Sequence, residues 1–164
     1  MRQPTFLRIG LKKRGAFVKL RLRWDKSPLT CAAVVRRLPV ASQVWHAKWA
    51  NCEIYTLVPV LDETFSPEWT SAYPAPGDLM YLPIGQTNIK PLGAPELPTQ
   101  NGLIDFAYFY DRGSNLLNGP TGAHTGNIIA TASDPLAVEE FAETCADVWF
   151  AGAVGEQLVL DVTD

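Results

Sequence analysis

Between residues 18 and 24 the chain alternates strictly, with Val18, Leu20, Leu22 and Trp24 separated by Lys19, Arg21 and Arg23. Successive side chains of a strand point to opposite faces, so this pattern specifies a strand with one buried and one wet face. Further short strands are expected from Thr5 to Ile9, Gln43 to Trp49, Cys52 to Val58, Asp78 to Leu82, Leu103 to Tyr110, Gly126 to Ala132 and Gln157 to Val162. Only two segments carry a helical period. Many short strands with so few helices favour a mainly β fold, a closed β-barrel capped by two helices, over an open α/β sheet.

The first helix opens at Ser27-Pro28, with serine as N-cap and proline at the first helical position, where its missing N–H costs nothing. Cys31, Val34, Val35 and Leu38 recur at i, i+3, i+4 and i+7, Arg36 and Arg37 suit the negative end of the helix dipole, and Pro39 stops the run. The second opens at Asp134-Pro135 and presents Val138, Phe141, Cys145, Val148 and Trp149 on one stripe until Gly152. The proline-rich stretches 59–76 and 83–102 are expected to be long connections over the barrel.

A chain of 164 residues fits one domain over 1–164 and buries a core without staples. Its 14 basic residues against 17 acidic ones lack the basic excess that phosphate contacts need, so no nucleic-acid partner is expected. Cys31, Cys52 and Cys145 are odd in number and widely spaced, and the two histidines have no matched carboxylate spacing. Neither a disulfide framework nor a metal site follows, and no cofactor is implied. No apolar run reaches signal-peptide or membrane-span length, so the expected location is the cytoplasm, away from the membrane.

The order of elements, together with His46-Ala-Lys-Trp49, Tyr73-Pro-Ala-Pro-Gly-Asp78 and Gly126-Asn127, resembles a bacterial cyclophilin-like family designated domain of unknown function 3830. The resemblance implies a cyclophilin-like barrel over nearly the whole chain. Cyclophilins catalyse prolyl cis/trans isomerisation with an arginine in a Phe-His-Arg motif and a glutamine in a Gln-Gly-Gly-Asp motif. Here Trp45-His46-Ala47-Lys48 puts alanine where that arginine would stand, and no Gln-Gly-Gly-Asp segment occurs. A lysine cannot reproduce a planar guanidinium fork, so isomerase activity is not favoured and enzymatic activity stays open.

A two-residue hairpin loop at Ala50-Asn51 would set Lys48 opposite Glu53 and His46 opposite Tyr55 on one face, with Trp45, Ala47 and Trp49 turned to the interior. Those four polar residues are the first candidate site, a groove for a small polar or anionic molecule, with His46 as the candidate acid or base because it titrates near neutrality. The bland alternative is a solvated hairpin face with a weak ion pair. His124, in a glycine-rich loop, and Arg112 form a second candidate for holding an anion, although a simple turn is the commoner use of such a loop. Tyr73 and Tyr81 are retained as groove walls. Two other functions stay open: a peptide-binding groove, and an interaction protein forming a homo-oligomer through exposed aromatics, Trp69 among them.

Overall fold

The structure, a computed structural model, describes residues 3–60, 66–84, 102–118 and 122–164. In chain order the elements are β1 (Phe6–Leu11), β2 (Ala16–Leu22), α1 (Pro28–Arg37), β3 (Val40–His46), β4 (Glu53–Pro59), β5 (Thr70–Ser71), β6 (Asp78–Ile84), β7 (Leu103–Phe109), β8 (Leu117–Asn118), β9 (Gly122–Ala123), β10 (Gly126–Ala132), α2 (Pro135–Ala151) and β11 (Gln157–Thr163). Antiparallel pairings run β2-β1-β11-β3-β4-β7-β6-β10 and return to β2, closing an eight-stranded barrel; β5 lies outside on the free part of β10. Much of the stretch expected between Pro83 and Gly102 falls outside the described residues, as does 61–65 in the earlier connection.

Alternation fills the barrel as β2 promised. Val18, Leu20 and Leu22 point inward, where they meet Leu7, Ile9, Ile104, Phe106, Leu158 and Leu160, while Lys19 and Arg21 stay exposed. An eight-stranded barrel is just wide enough for its own side chains to fill it. The helices lie against the barrel, and the buried residues of α1 (Cys31, Val34) and α2 (Val138, Phe141, Cys145, Val148) supply most of their contact with this interior. Trp149, expected on that stripe, is instead 53% exposed and lays its ring 5.2 Å from the His46 ring. It sits at the edge of the stripe, one residue past Val148, and so turns out of the core.

Helix α1 starts where expected but is capped differently. The Ser27 hydroxyl donates to the Ile128 carbonyl at 2.9 Å, and the carboxylate of Glu68 accepts the free N–H groups of Leu29 and Thr30 at 2.9 and 2.8 Å. An acid here also suits the positive end of the helix dipole. The second helix keeps the expected cap, Asp134 accepting from Leu136 and Ala137.

Two glycines explain why the resemblance rests on the segments it does. A Cβ at Gly126 would lie 2.7 Å from Met80 Cγ and 2.8 Å from the Tyr81 carbonyl oxygen, so only glycine lets β10 lie flat on β6. Gly77 has φ +89°, which favours glycine, and Asp78 closes its turn by accepting the Ala75 N–H at 2.8 Å. Next to Gly126, the fully buried Asn127 accepts the Glu68 N–H at 2.9 Å and donates to Thr30 Oγ1 at 2.7 Å and the Ser66 carbonyl at 2.8 Å. One amide thus ties β10 to α1 and to the Glu68 cap.

Candidate functional site

The expected register between β3 and β4 is corrected by one residue. Strand β3 ends at His46, and the pairs are Val44 with Thr56, Trp45 with Tyr55 and His46 with Ile54. Residues 47–52 make the connection in place of a two-residue loop, with Asn51 taking the left-handed conformation at φ 65°. A slip of one residue turns a strand over. Strand β4 keeps its expected faces, Ile54 and Thr56 inward and Glu53 and Tyr55 outward, but β3 is reversed: Val44 and His46 face inward and Trp45 outward. The cause is apolar demand, since Val40 and Val44 are the β-branched residues that the interior takes up.

The four residues of the first candidate therefore separate. Lys48 is exposed in the connection. His46 lies among interior groups, its Nδ1–H donating to the Ala47 carbonyl at 2.9 Å, which leaves Nε2 to accept the Tyr110 hydroxyl at 2.7 Å. Both ring nitrogens are used by the neutral imidazole, and burial pushes its pKa down, which keeps it neutral. Tyr81 also turns inward, edge-on to Phe106 at 5.8 Å, because it pairs with Phe106 on the inner face; it is no groove wall. Tyr73 is exposed on the surface. His124 donates its backbone N–H to the Leu116 carbonyl, beside the short β8–β9 pairing.

Glu53 and Tyr55 do stay together, and they acquire a partner that sequence inspection missed. Register sets Glu53 opposite Phe109, Tyr55 opposite Ala107 and Leu57 opposite Asp105, so Glu53, Tyr55 and Asp105 share the outer face of β4 and β7. Beside them Met80, Ala107, Phe109, Ile128, Leu116 and Ala50 form a second, smaller core on the outside of the barrel, with Ala47, Tyr55 and Trp69 packed against it. The Arg23 guanidinium lies 4.4 Å over the Trp69 ring, so this tryptophan is partly buried and packed, not an exposed contact surface. Ala107 projects only a methyl group opposite Tyr55, and the two acids flank that pairing, Glu53 opposite Phe109 and Asp105 opposite Leu57.

The two acids are 4% and 6% exposed, for Glu53 and Asp105 respectively. Burial pushes the Glu53 carboxyl up to about 8, and burial together with the Glu53 charge raises Asp105 well above the usual carboxylate range. Burial, then the nearby charges of Asp105 and Glu53, raise the Tyr55 phenol as well, so it stays protonated. Burial thus holds both carboxyls toward their protonated form, and any charge on Glu53 holds Asp105 further that way.

Buried acids elsewhere in the chain are engaged. Glu156, fully buried, accepts the N–H groups of Lys13, Arg14 and Gln157 and pairs with the Arg14 guanidinium at 3.1 Å. By contrast Asp105 Oδ1 is buried with no hydrogen-bond partner. A buried acceptor left unmade costs about 1–3 kcal/mol, so a protein that keeps one has a use for it or fills it with something else. The other such atom among the described residues, the Tyr108 hydroxyl, belongs to the inward face of β7 and the packed interior.

A separate cleft of about 520 Å³ opens between α2 and the barrel, lined by Tyr110, Arg112, Val138, Glu139, Ala142 and Glu143 among others. Arg112 is exposed and shares this lining with Asp111, Glu139 and Glu143, and His46 is joined to it through its hydrogen bond with Tyr110. The three cysteines are unpaired, and burial raises each thiol, Cys31 to about 12, so none is a ready nucleophile. Among the described residues no group of three or more His, Cys, Asp or Glu is placed to hold a metal ion, and no helix is long and apolar enough to cross a membrane.

The closed antiparallel barrel of eight strands, with an acid pair on its outer wall, is compatible with a cyclophilin-like fold. Residues 9–160 match the family described as protein of unknown function (DUF3830), and the chain belongs to that family. No curated protein matches it.

Proposed function

We propose that this protein binds a small polar molecule on the outer face of β4 and β7, with Glu53 and Asp105 as acceptors and Tyr55 as a neighbouring wall. The observation that carries this is the buried, unpartnered Asp105 Oδ1 beside a second raised carboxyl. Perturbed acids on a mostly apolar surface are characteristic of binding sites. The cleft beside α2 ranks second, because its charged groups are solvated and leave no buried group unpaired.

Two features weigh against the peptide-groove alternative. None of β3, β4, β6 and β7 contains an arginine, and Ala50, Leu116 and Trp69 already fill part of the outer face on which a peptide would lie. Screening small polar compounds by backbone amide NMR should give saturable shifts centred on residues 53–57 and 105–109. Shifts centred on the α2 cleft, or none at all, would overturn the proposal.

A further inference from the structure

We infer that the cleft between α2 and the barrel is a second binding site, for a small primary amine with an apolar body. This goes beyond the outer-face reading and does not depend on it. At about 520 Å³ the cleft has the size of a ligand pocket, and its lining joins three kinds of surface. Val138, Ala142 and Ala146 follow one another at i, i+4 and i+8 and give the α2 side a row of short apolar side chains. Glu139 and Glu143, also i and i+4, make the adjoining row, so their carboxylates are neighbours one turn apart. The barrel side carries Tyr110, whose hydroxyl is anchored on His46 at 2.7 Å, so its ring is fixed in the lining.

The ligand class follows from what this lining lacks. Its charged groups are three carboxylates, Asp111, Glu139 and Glu143, against the single guanidinium of Arg112. Helix α2 contains no lysine or arginine, and among the described residues none of these four groups is in an ion pair. An anion would meet three carboxylates for one guanidinium. A neutral apolar molecule would leave the two neighbouring glutamates repelling each other, and a hydrated metal ion would leave the apolar row uncovered. A primary ammonium carries three N–H donors on one centre, enough to bridge neighbouring carboxylates, and the Tyr110 ring offers it an aromatic surface. Its hydrocarbon chain then covers Val138, Ala142 and Ala146. A small polar compound has no such chain, so the polar screen above is expected to leave this cleft untouched.

The probe is hexylammonium chloride, with 1-hexanol and sodium hexanoate as neutral and anionic counterparts of equal chain length. Backbone amide NMR should show saturable hexylammonium shifts centred on residues 110–112 and 138–146, while those of 53–57 and 105–109 stay in place. Affinity should rise about two- to fourfold per methylene from butylammonium to hexylammonium and fall with added salt. The double variant Glu139→Gln with Glu143→Gln, at exposed positions safe for folding, should bind hexylammonium about fivefold more weakly. Ala142→Leu fills the apolar row and should weaken it about tenfold, with the melting temperature reporting that the fold is kept. Equal binding of 1-hexanol, tighter binding of hexanoate, an unchanged affinity in the double variant, or no movement of the cleft amides would each overturn the inference. A silent cleft would leave the outer-face proposal standing, because that one is read from other compounds at other residues.

Discussion

Replacing Asp105 by asparagine is expected to stabilise the protein by about 2 kcal/mol near pH 8 and to leave it almost unchanged near pH 4. Both acids are raised in the folded state, Glu53 to about 8, so the folded protein binds more protons than the unfolded chain across the window from their ordinary values near 4 up to their folded values. Where the folded state binds the excess proton, stability is fully present below the unfolded pKa and is lost as pH rises through the folded one. Asparagine removes one acid of the pair and relieves the like charge on the other. Other acids act in the opposite sense: Glu68 and Glu156 are lowered by their hydrogen bonds and make the protein weaken at low pH. The informative quantity is therefore the variant minus the wild type, from urea unfolding at a series of pH values. A difference that grows from near zero at acid pH to a gain at alkaline pH is expected; parallel curves, or a variant weaker than wild type near pH 8, would contradict the account.

Substituting Asn127 by alanine should cost about 3 kcal/mol. Its amide makes three hydrogen bonds at a fully buried position, and alanine would strand the Glu68 N–H and the Ser66 carbonyl, while the Thr30 hydroxyl would keep only its bond to the Glu68 carboxylate. The loss would spread to α1, because the backbone of Glu68 is what Asn127 holds while the Glu68 carboxylate caps the helix. Aspartate should not rescue it, since it turns the two donated bonds into clashes between acceptors. Urea midpoints measure both variants, and an Asn127→Ala loss below about 1 kcal/mol would mean that the network is not what joins β10 to α1.

The fold was far more legible than the site, and particular residues show why. Strand β2 announces itself by alternation, and α2 by its Asp134-Pro135 start and the Gly152 stop, because local chemistry settles each of them. The segments that carried the resemblance, around Gly77-Asp78 and Gly126-Asn127, turn out to be steric and hydrogen-bonding requirements of the barrel. Such residues mark a fold and are silent on a ligand. In the strand expected from Gln43 to Trp49 the two large tryptophans, Trp45 and Trp49, suggested the interior, but the smaller Val40 and Val44 of β3 occupy it, and that reversal took His46 away from Glu53.

The acid pair depends on strand neighbours that are far apart in sequence. Glu53 was visible as a candidate through its place on β4. Asp105 became one only through the β4–β7 register, although a lone acid inside the otherwise apolar Leu103–Phe109 strand was a signal available from the start. Arg112 and His124 were noticed for the glycines near them, and their backbone surroundings put neither on the outer face of β4 and β7.

The central claim, that burial holds the Glu53 and Asp105 carboxyls well above the ordinary carboxylate range, is tested most directly by following their side-chain carboxyl carbons by NMR across a pH titration, with Glu53→Gln and Asp105→Asn spectra to assign them. The account predicts that both carboxyls titrate above the ordinary range, with Glu53 still largely protonated at pH 7. Two independent titrations in the ordinary carboxylate range near 4 would contradict it.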